Sequence, residues 1–210
     1  MVKKRDIWQK LYPYGVFRMG TAVYLTFDDG PIPEVTPKVL EILARYNVKA
    51  TFFMVGENID KHPDVFRQVI EAGHAIGNHT YNHLKGWRTP FCEYMANVKQ
   101  WEEAAKNHQL PITNHQSPLF RPPYGKATLR QRHALHQMGY KLIYWDILTR
   151  DYDKSVTPQQ MLSLIKHETR PGSIINFHDS LKSNERMLEV LPQAIEWLQN
   201  NGYHLETLKL

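Results

Sequence analysis

Short runs of apolar, β-branched or aromatic residues alternate along this chain with longer stretches whose apolar positions recur every three to four residues. The short runs read as strands: VYLTF (23–27), ATFFMV (50–55), HAIGNH (74–79), LFRPPY (119–124), KLIYWDI (141–147), SIINFH (173–178) and HLETL (204–208). The longer stretches read as helices. Thr36 followed by Pro37 suits an N-cap and first turn, after which Val39, Ile42, Leu43 and Tyr46 share a face. Towards the C-terminus Met187, Leu188, Leu191, Ala194, Ile195 and Leu198 repeat at helical spacing, and Asn201-Gly202 supplies the stop. Such alternation predicts an α/β fold of parallel strands covered by helices, as an open sheet or a barrel. No repeat, low-complexity tract or Gly/Ser/Pro-rich linker interrupts the seven strand units, so a single domain is expected. Residues 108–118 (HQLPITNHQSP) are the longest irregular stretch and read as a rim loop.

Composition narrows the function classes. With 210 residues, 42% of them hydrophobic and 22% charged, the chain can bury a sizeable core and is not disordered. The net charge of +5 favours an anionic partner, but the basic residues are scattered rather than clustered, which argues against nucleic acid. Cys92 is the single cysteine, which excludes an intrachain disulfide and a cysteine metal cluster; in FCEYM it is expected as a buried thiol, not a nucleophile. The leading MVKKRDIWQKLYPYGVFRMG is basic, but Asp6, Gln9, Lys10 and Pro13 break the apolar run of a signal peptide. No stretch is long enough to span a bilayer. A cytoplasmic or peripheral location follows as the expectation, with residues 1–20 an N-terminal arm resting Trp8 and Tyr12 on a domain of residues 21–210.

Polar residues gather where the predicted strands end. LTFDDGP (25–31) closes one apolar strand with two adjacent carboxylates, although a turn needs only one. HTYNH (79–83) sets two histidines four apart, able on one face of a helical turn to bind one divalent metal if a carboxylate joins them. Successive side chains at a strand end point to different sides, so one of Asp28 and Asp29 can hold the ion while its neighbour takes a proton from water. In RPPYG (121–125) Arg121 can keep a carboxylate ionised. Pro122 and Pro123 lack an N–H, leaving the Tyr124 N–H as the first available to an oxyanion. Asp151 can pair with Arg121 or orient a histidine, and His178 can protonate a leaving group. In α/β barrels the C-terminal ends of strands are where sites are built.

TFDDG, HTYNH, RPPYG, an Asp after the fifth strand and a sixth-strand HD, in this order over residues 21–207, resemble the polysaccharide deacetylase family, the NodB-homology domain of carbohydrate esterase family 4. The resemblance implies a distorted, TIM-barrel-like (β/α)7 barrel and metal-dependent removal of N-acetyl groups from an N-acetylhexosamine-containing poly- or oligosaccharide, zinc being the usual metal. By motif position Asp28 is the catalytic base, Asp29, His79 and His83 the metal ligands, and His178 the general acid. Arg121 positions Asp28, the Tyr124 N–H stabilises the oxyanion, and Asp151 supports Arg121, with His178 as a further partner. Two substrate-pocket positions depart from the family's pattern. Tyr152 stands where Trp is usual. Asn176 stands where Leu usually lines the acetyl pocket, and an amide is a poor apolar wall unless it turns away or meets a polar group. The alternatives are an O-acetyl esterase on a glycan such as xylan, or a carbohydrate-binding protein on the same fold.

Overall fold

The computed structural model describes residues 12–108 and 118–208. Eight short strands, all parallel, form one curled sheet in the order β1-β6-β5-β4-β3-β2-β8-β7. They are β1 (Gly15–Val16), β2 (Tyr24–Asp28), β3 (Thr51–Met54), β4 (Ala75–Asn78), β5 (Leu119–Phe120), β6 (Lys141–Ile143), β7 (Ile147–Leu148) and β8 (Ile174–His178). Seven helices among the described residues lie between them: α1 (Thr36–Arg45), α2 (Gly56–Lys61), α3 (Pro63–Glu71), α4 (Phe91–His108), α5 (Leu129–Gln137), α6 (Pro158–Glu168) and α7 (Asn184–Asn200). This is the distorted (β/α)7 barrel architecture expected, in a single domain.

Every residue of β2 is buried, as a central parallel strand covered on both faces requires. Leu25 and Phe27 point outward into the layer shared with the helices, where Phe27 stacks on Phe52 and Phe177 at 5.0 and 5.7 Å. Val39, Leu43, Met187, Leu191, Ala194, Ile195 and Leu198, the periodic positions of α1 and α7, fill that same layer. The α7 stop is also as read, with Gly202 in the left-handed region at φ 77° and Tyr203 N–H returning to the Leu198 carbonyl. Tyr24, Phe53, Leu119, Ile143, Ile174 and Leu208 form an apolar cluster inside the barrel.

Four sequence readings change. KLIYWDI is not one strand: its first half, β6, pairs with β5, and its last residues, β7, pair with β8. Residues 144–146 carry the chain from one side of the sheet to the other. HLETL contributes one bridge, Val23 to Leu205, and then sends Leu208 into the barrel interior. Thr36 does not cap α1; its hydroxyl accepts from Ile32 N–H at 2.8 Å and donates to Asp179 Oδ2 at 2.6 Å. Cys92 is exposed, because it lies in the first turn of α4 away from the buried face of Tyr94, Val98 and Trp101.

Residues 12–20, grouped with the arm, join the sheet. β1 pairs with β6, Arg18 bridges to Ser173, and Tyr12 packs edge-on against Phe17 and Tyr144. Trp8 and most of the 108–118 loop lie outside the described residues. No helix among the described residues is long and apolar enough to cross a membrane.

Candidate active site

The alternation of a strand sets up the site's inner shell. In β2 the inward positions are Tyr24, Thr26 and Asp28; in β8 they are Ile174, Asn176 and His178. The two strands are in register, Thr26 opposite Asn176 and Asp28 opposite His178. Polar residues therefore occupy the C-terminal half of the interior, above the apolar cluster.

Arg121, fully buried after β5, is the hub of this shell. Its Nη1 donates to Asp28 Oδ1 at 2.7 Å, Asn176 Oδ1 at 2.6 Å and Thr26 Oγ1 at 2.8 Å. Nη2 donates to the Tyr144 carbonyl at 3.0 Å, and the guanidinium lies 4.1 Å from the Phe53 ring centroid. Burial pushes the Asp28 carboxyl up, but Arg121, His79 and His178 together outweigh it and hold it below the ordinary carboxylate value. Asn176, expected from the sequence in the substrate pocket, is part of this hydrogen-bonded cluster. It is fully buried, and its Nδ2 donates to Asp28 Oδ2 at 3.1 Å. The amide turns to Asp28, so each carboxylate oxygen has its own donor.

Asp29 points elsewhere. Its backbone is in the left-handed region at φ 87°, held by its N–H to the Phe53 carbonyl and by Asn58 Nδ2 to its own carbonyl. This kink turns the carboxylate towards His83 Nε2 at 3.3 Å and His79 Nε2 at 3.8 Å. One ligating atom from each of Asp29, His79 and His83 lies within 4.8 Å of the others. His79 is buried, and its Nδ1–H donates to the Arg121 carbonyl at 2.7 Å in the tautomer that leaves Nε2 free. Burial lowers the pKa of His79 to about 4 and lowers that of His83, so both rings are neutral, as ligands must be.

HTYNH is not a helical turn. Thr80 and His83 have φ of 63° and 54°, and Asn97 Oδ1 on α4 accepts the N–H groups of both Tyr81 and Asn82. The loop, rather than helical spacing, brings the rings to 5.0 Å. Of seven non-glycine residues with positive φ among those described, five (Asp29, Thr80, His83, Tyr124, Arg150) sit at these strand ends, so the backbone strain is concentrated here.

His178 and Asp151 form a separate pair. Asp151 Oδ1 accepts from His178 Nδ1 at 2.8 Å, Oδ2 accepts the His178 backbone N–H at 2.7 Å, and Arg186 donates to the Asp151 carbonyl. Asp151 thus orients His178; its carboxylate oxygens go to His178 and not to Arg121. Burial pulls the imidazole down, but the Asp151 hydrogen bond and charge, with Asp29 and Asp28, push its pKa up to about 9. Tyr152 stands edge-on to this ring at 5.0 Å. Tyr124 lies in a tight turn at φ 59°, and its N–H has no acceptor among the described residues. Gly125 follows at φ 65°, where a Cβ would meet Trp145 at 2.8 Å.

Thr26, Arg186 and Asn97 were not singled out from the sequence. Thr26 had a usable signal, since it lies two residues before Asp28 on the same face of β2. Arg186 and Asn97 act from helices and had none.

The polysaccharide deacetylase family model matches residues 18–143. A peptidoglycan-N-acetylglucosamine deacetylase of Bacillus cereus is 33% identical over 89% of this chain, which spans 66% of that relative's length. A chitooligosaccharide deacetylase of Azorhizobium caulinodans is 30% identical, covering 90% of this chain and 93% of its own. The crystal structure of a peptidoglycan N-acetylglucosamine deacetylase in complex with 4-naphthalen-1-yl-N-oxidanyl-benzamide superposes with a TM-score of 0.87, at 31% identity, over 96% of this chain and 93% of that one. With the family model covering more than half of its length, this chain belongs to the polysaccharide deacetylase family.

Proposed function

We propose that the chain is a metal-dependent hydrolase that removes N-acetyl groups from an N-acetylhexosamine-containing poly- or oligosaccharide. The observation that carries this reading is the division of labour between two adjacent carboxylates. Asp29 turns to two neutral histidines, while Asp28 stays in the barrel on Arg121. Two imidazoles and one carboxylate are a donor set that suits zinc, leaving coordination positions for substrate and water. Asp29, His79 and His83 would hold the ion, which when bound supplies Lewis-acid polarisation of the acetyl carbonyl and acidification of water.

The chain's own groups supply the rest. Asp28, kept ionised by Arg121, takes the proton of the attacking water as its oxygen bonds to the acetyl carbon. The Tyr124 N–H is available to the oxyanion that forms. His178, protonated at neutral pH, has its Nδ1–H on Asp151 and so presents Nε2–H as the donor. It protonates the sugar nitrogen as the C–N bond breaks, giving acetate and a free amine. An amide depends on that proton more than an ester does, which favours N-acetyl over O-acetyl substrates.

The test is acetate release from N-acetylated oligosaccharides and from O-acetylated xylan, after chelation and again after zinc is restored. Zinc-dependent release from the N-acetylated set is expected. Release from xylan alone would make the protein an esterase. No release with zinc bound would make it a carbohydrate-binding member of the family.

A further inference from the structure

Asp179 is fully buried and has no part in the hydrolysis described above. Because β2 and β8 run in register, Asp28 opposite His178, the next residues Asp29 and Asp179 leave the sheet side by side. His178 faces the barrel, and Asp179, one residue on, turns to residues 28–36 instead. Its carboxyl group accepts the Gly30 N–H on Oδ1 at 3.0 Å and the Thr36 hydroxyl on Oδ2 at 2.6 Å. Thr36 Oγ1 in turn accepts the Ile32 N–H at 2.8 Å. The Asp179 backbone N–H donates to the Asp28 carbonyl at 3.0 Å. A Cβ on Gly30 would collide with the Asp179 carboxyl group, so glycine is what admits this approach.

These contacts bracket Asp29. The two peptide planes on either side of a Cα set that residue's φ and ψ. The plane before Asp29 is held at the Asp28 carbonyl by the Asp179 N–H and at the Asp29 N–H by the Phe53 carbonyl, 3.2 Å away. The plane after it is held at the Asp29 carbonyl by Asn58 Nδ2 at 2.8 Å and at the Gly30 N–H by Asp179 Oδ1. Asp179 thus supplies one of the two holders of each plane. The Gly30 carbonyl then accepts the Val55 N–H at 2.9 Å, so every backbone group from the Asp28 carbonyl to the Gly30 carbonyl is committed. With both planes fixed, Asp29 stays at φ 87°, a conformation a non-glycine residue does not keep unaided. Its side chain therefore stays aimed at His79 and His83.

We propose that Asp179 is a positioning residue for Asp29: acting through the backbone, it pre-forms the left-handed turn that presents the Asp29 carboxylate to the ion. This rests on the ligand set of Asp29, His79 and His83 proposed above.

The test is zinc affinity, by competition with a chromophoric chelator, for wild type, Asp179→Leu, Asp179→Asn and Thr36→Val, with metal-free stability measured alongside. Asp179→Leu keeps the volume but removes both acceptors, and its zinc affinity should fall about 10–100-fold. Asp179→Asn keeps an oxygen for the Gly30 N–H and turns its amide N–H to Thr36 Oγ1, so it should restore affinity close to that of the wild type. Thr36→Val lowers stability without removing the Gly30 bond, and should leave zinc affinity close to the wild type too. Cobalt-loaded Asp179→Leu should have an altered visible absorption spectrum, and cobalt-loaded Asp179→Asn the wild-type one. Unchanged zinc affinity in folded Asp179→Leu, or an equal loss in Asp179→Asn or Thr36→Val, would overturn the role. If Asp179→Leu does not fold, amide hydrogen exchange on the wild type decides. The Gly30 N–H should be as protected in metal-free protein as in zinc-loaded protein, and a Gly30 N–H that exchanges freely until zinc binds would overturn the role. A wild type that binds no zinc would overturn the ligand set itself, and this role with it.

Discussion

Asp28 and Asp29 are neighbours in sequence yet belong to different shells, because a left-handed backbone at Asp29 turns its carboxylate out of the barrel. That the two would point to different sides was legible from strand alternation. Which one faces Arg121 was implied only by the family resemblance, since alternation alone does not say where a strand ends. Asn176 shows the opposite limit: its type was readable, but its partners depend on the register between β2 and β8. Its amide spans Arg121 and Asp28, so Asn176→Leu should lower kcat by about 10²-fold through a misplaced base, with KM within about twofold. Preference among formyl, acetyl and propionyl amides should not move; a shift would place Asn176 against the acyl group after all. His178 offers a pH test. Its folded pKa of about 9 lies above the ordinary 6.5, so its interactions with Asp151 contribute stability that is full below 6.5. That contribution is lost as pH rises through 9. In metal-free protein the stability gap between wild type and His178→Gln, from chemical denaturation, should shrink across this window. A gap that widens would contradict the pairing.

At the scale of elements, the strands buried on both faces were the easiest to read, since β2, β3 and β8 are runs of β-branched and aromatic residues with no room for solvent. KLIYWDI misled for a physical reason. An unbroken apolar run does not reveal that its neighbours change halfway. HTYNH carried the right residues at a spacing that suggested a helix, whereas positive φ at Thr80 and His83 and the Asn97 side chain give the actual loop. β4 allows a sharper test. A Cβ on Gly77 would lie 2.5 Å from the Phe53 ring, which itself supports the Arg121 guanidinium. Gly77→Ala should therefore destabilise the protein by about 1–3 kcal/mol through overpacking. It should also reduce activity by displacing Arg121; an unchanged denaturation midpoint would show that the barrel interior has slack there.

For the molecule as a whole, the fold follows from where the sequence puts its polar residues. The barrel's lower interior is apolar, and its upper rim carries Asp28 and Asp29 after β2, His79 and His83 after β4, Asp151 after β7 and His178 at the end of β8. The order of motifs was legible and led to the family. The pairing of residues 12–20 was not, because two-residue strands such as β1 leave no periodic signal. The central claim is that the two aspartates divide the work, one holding the ion and the other moving the proton. It is tested most directly by measuring zinc stoichiometry and acetate release together for wild type, Asp28→Asn and Asp29→Asn. The account predicts that Asp28→Asn binds one zinc per chain but releases no acetate, while Asp29→Asn loses both. Loss of zinc from Asp28→Asn, or activity retained without Asp29, would contradict it.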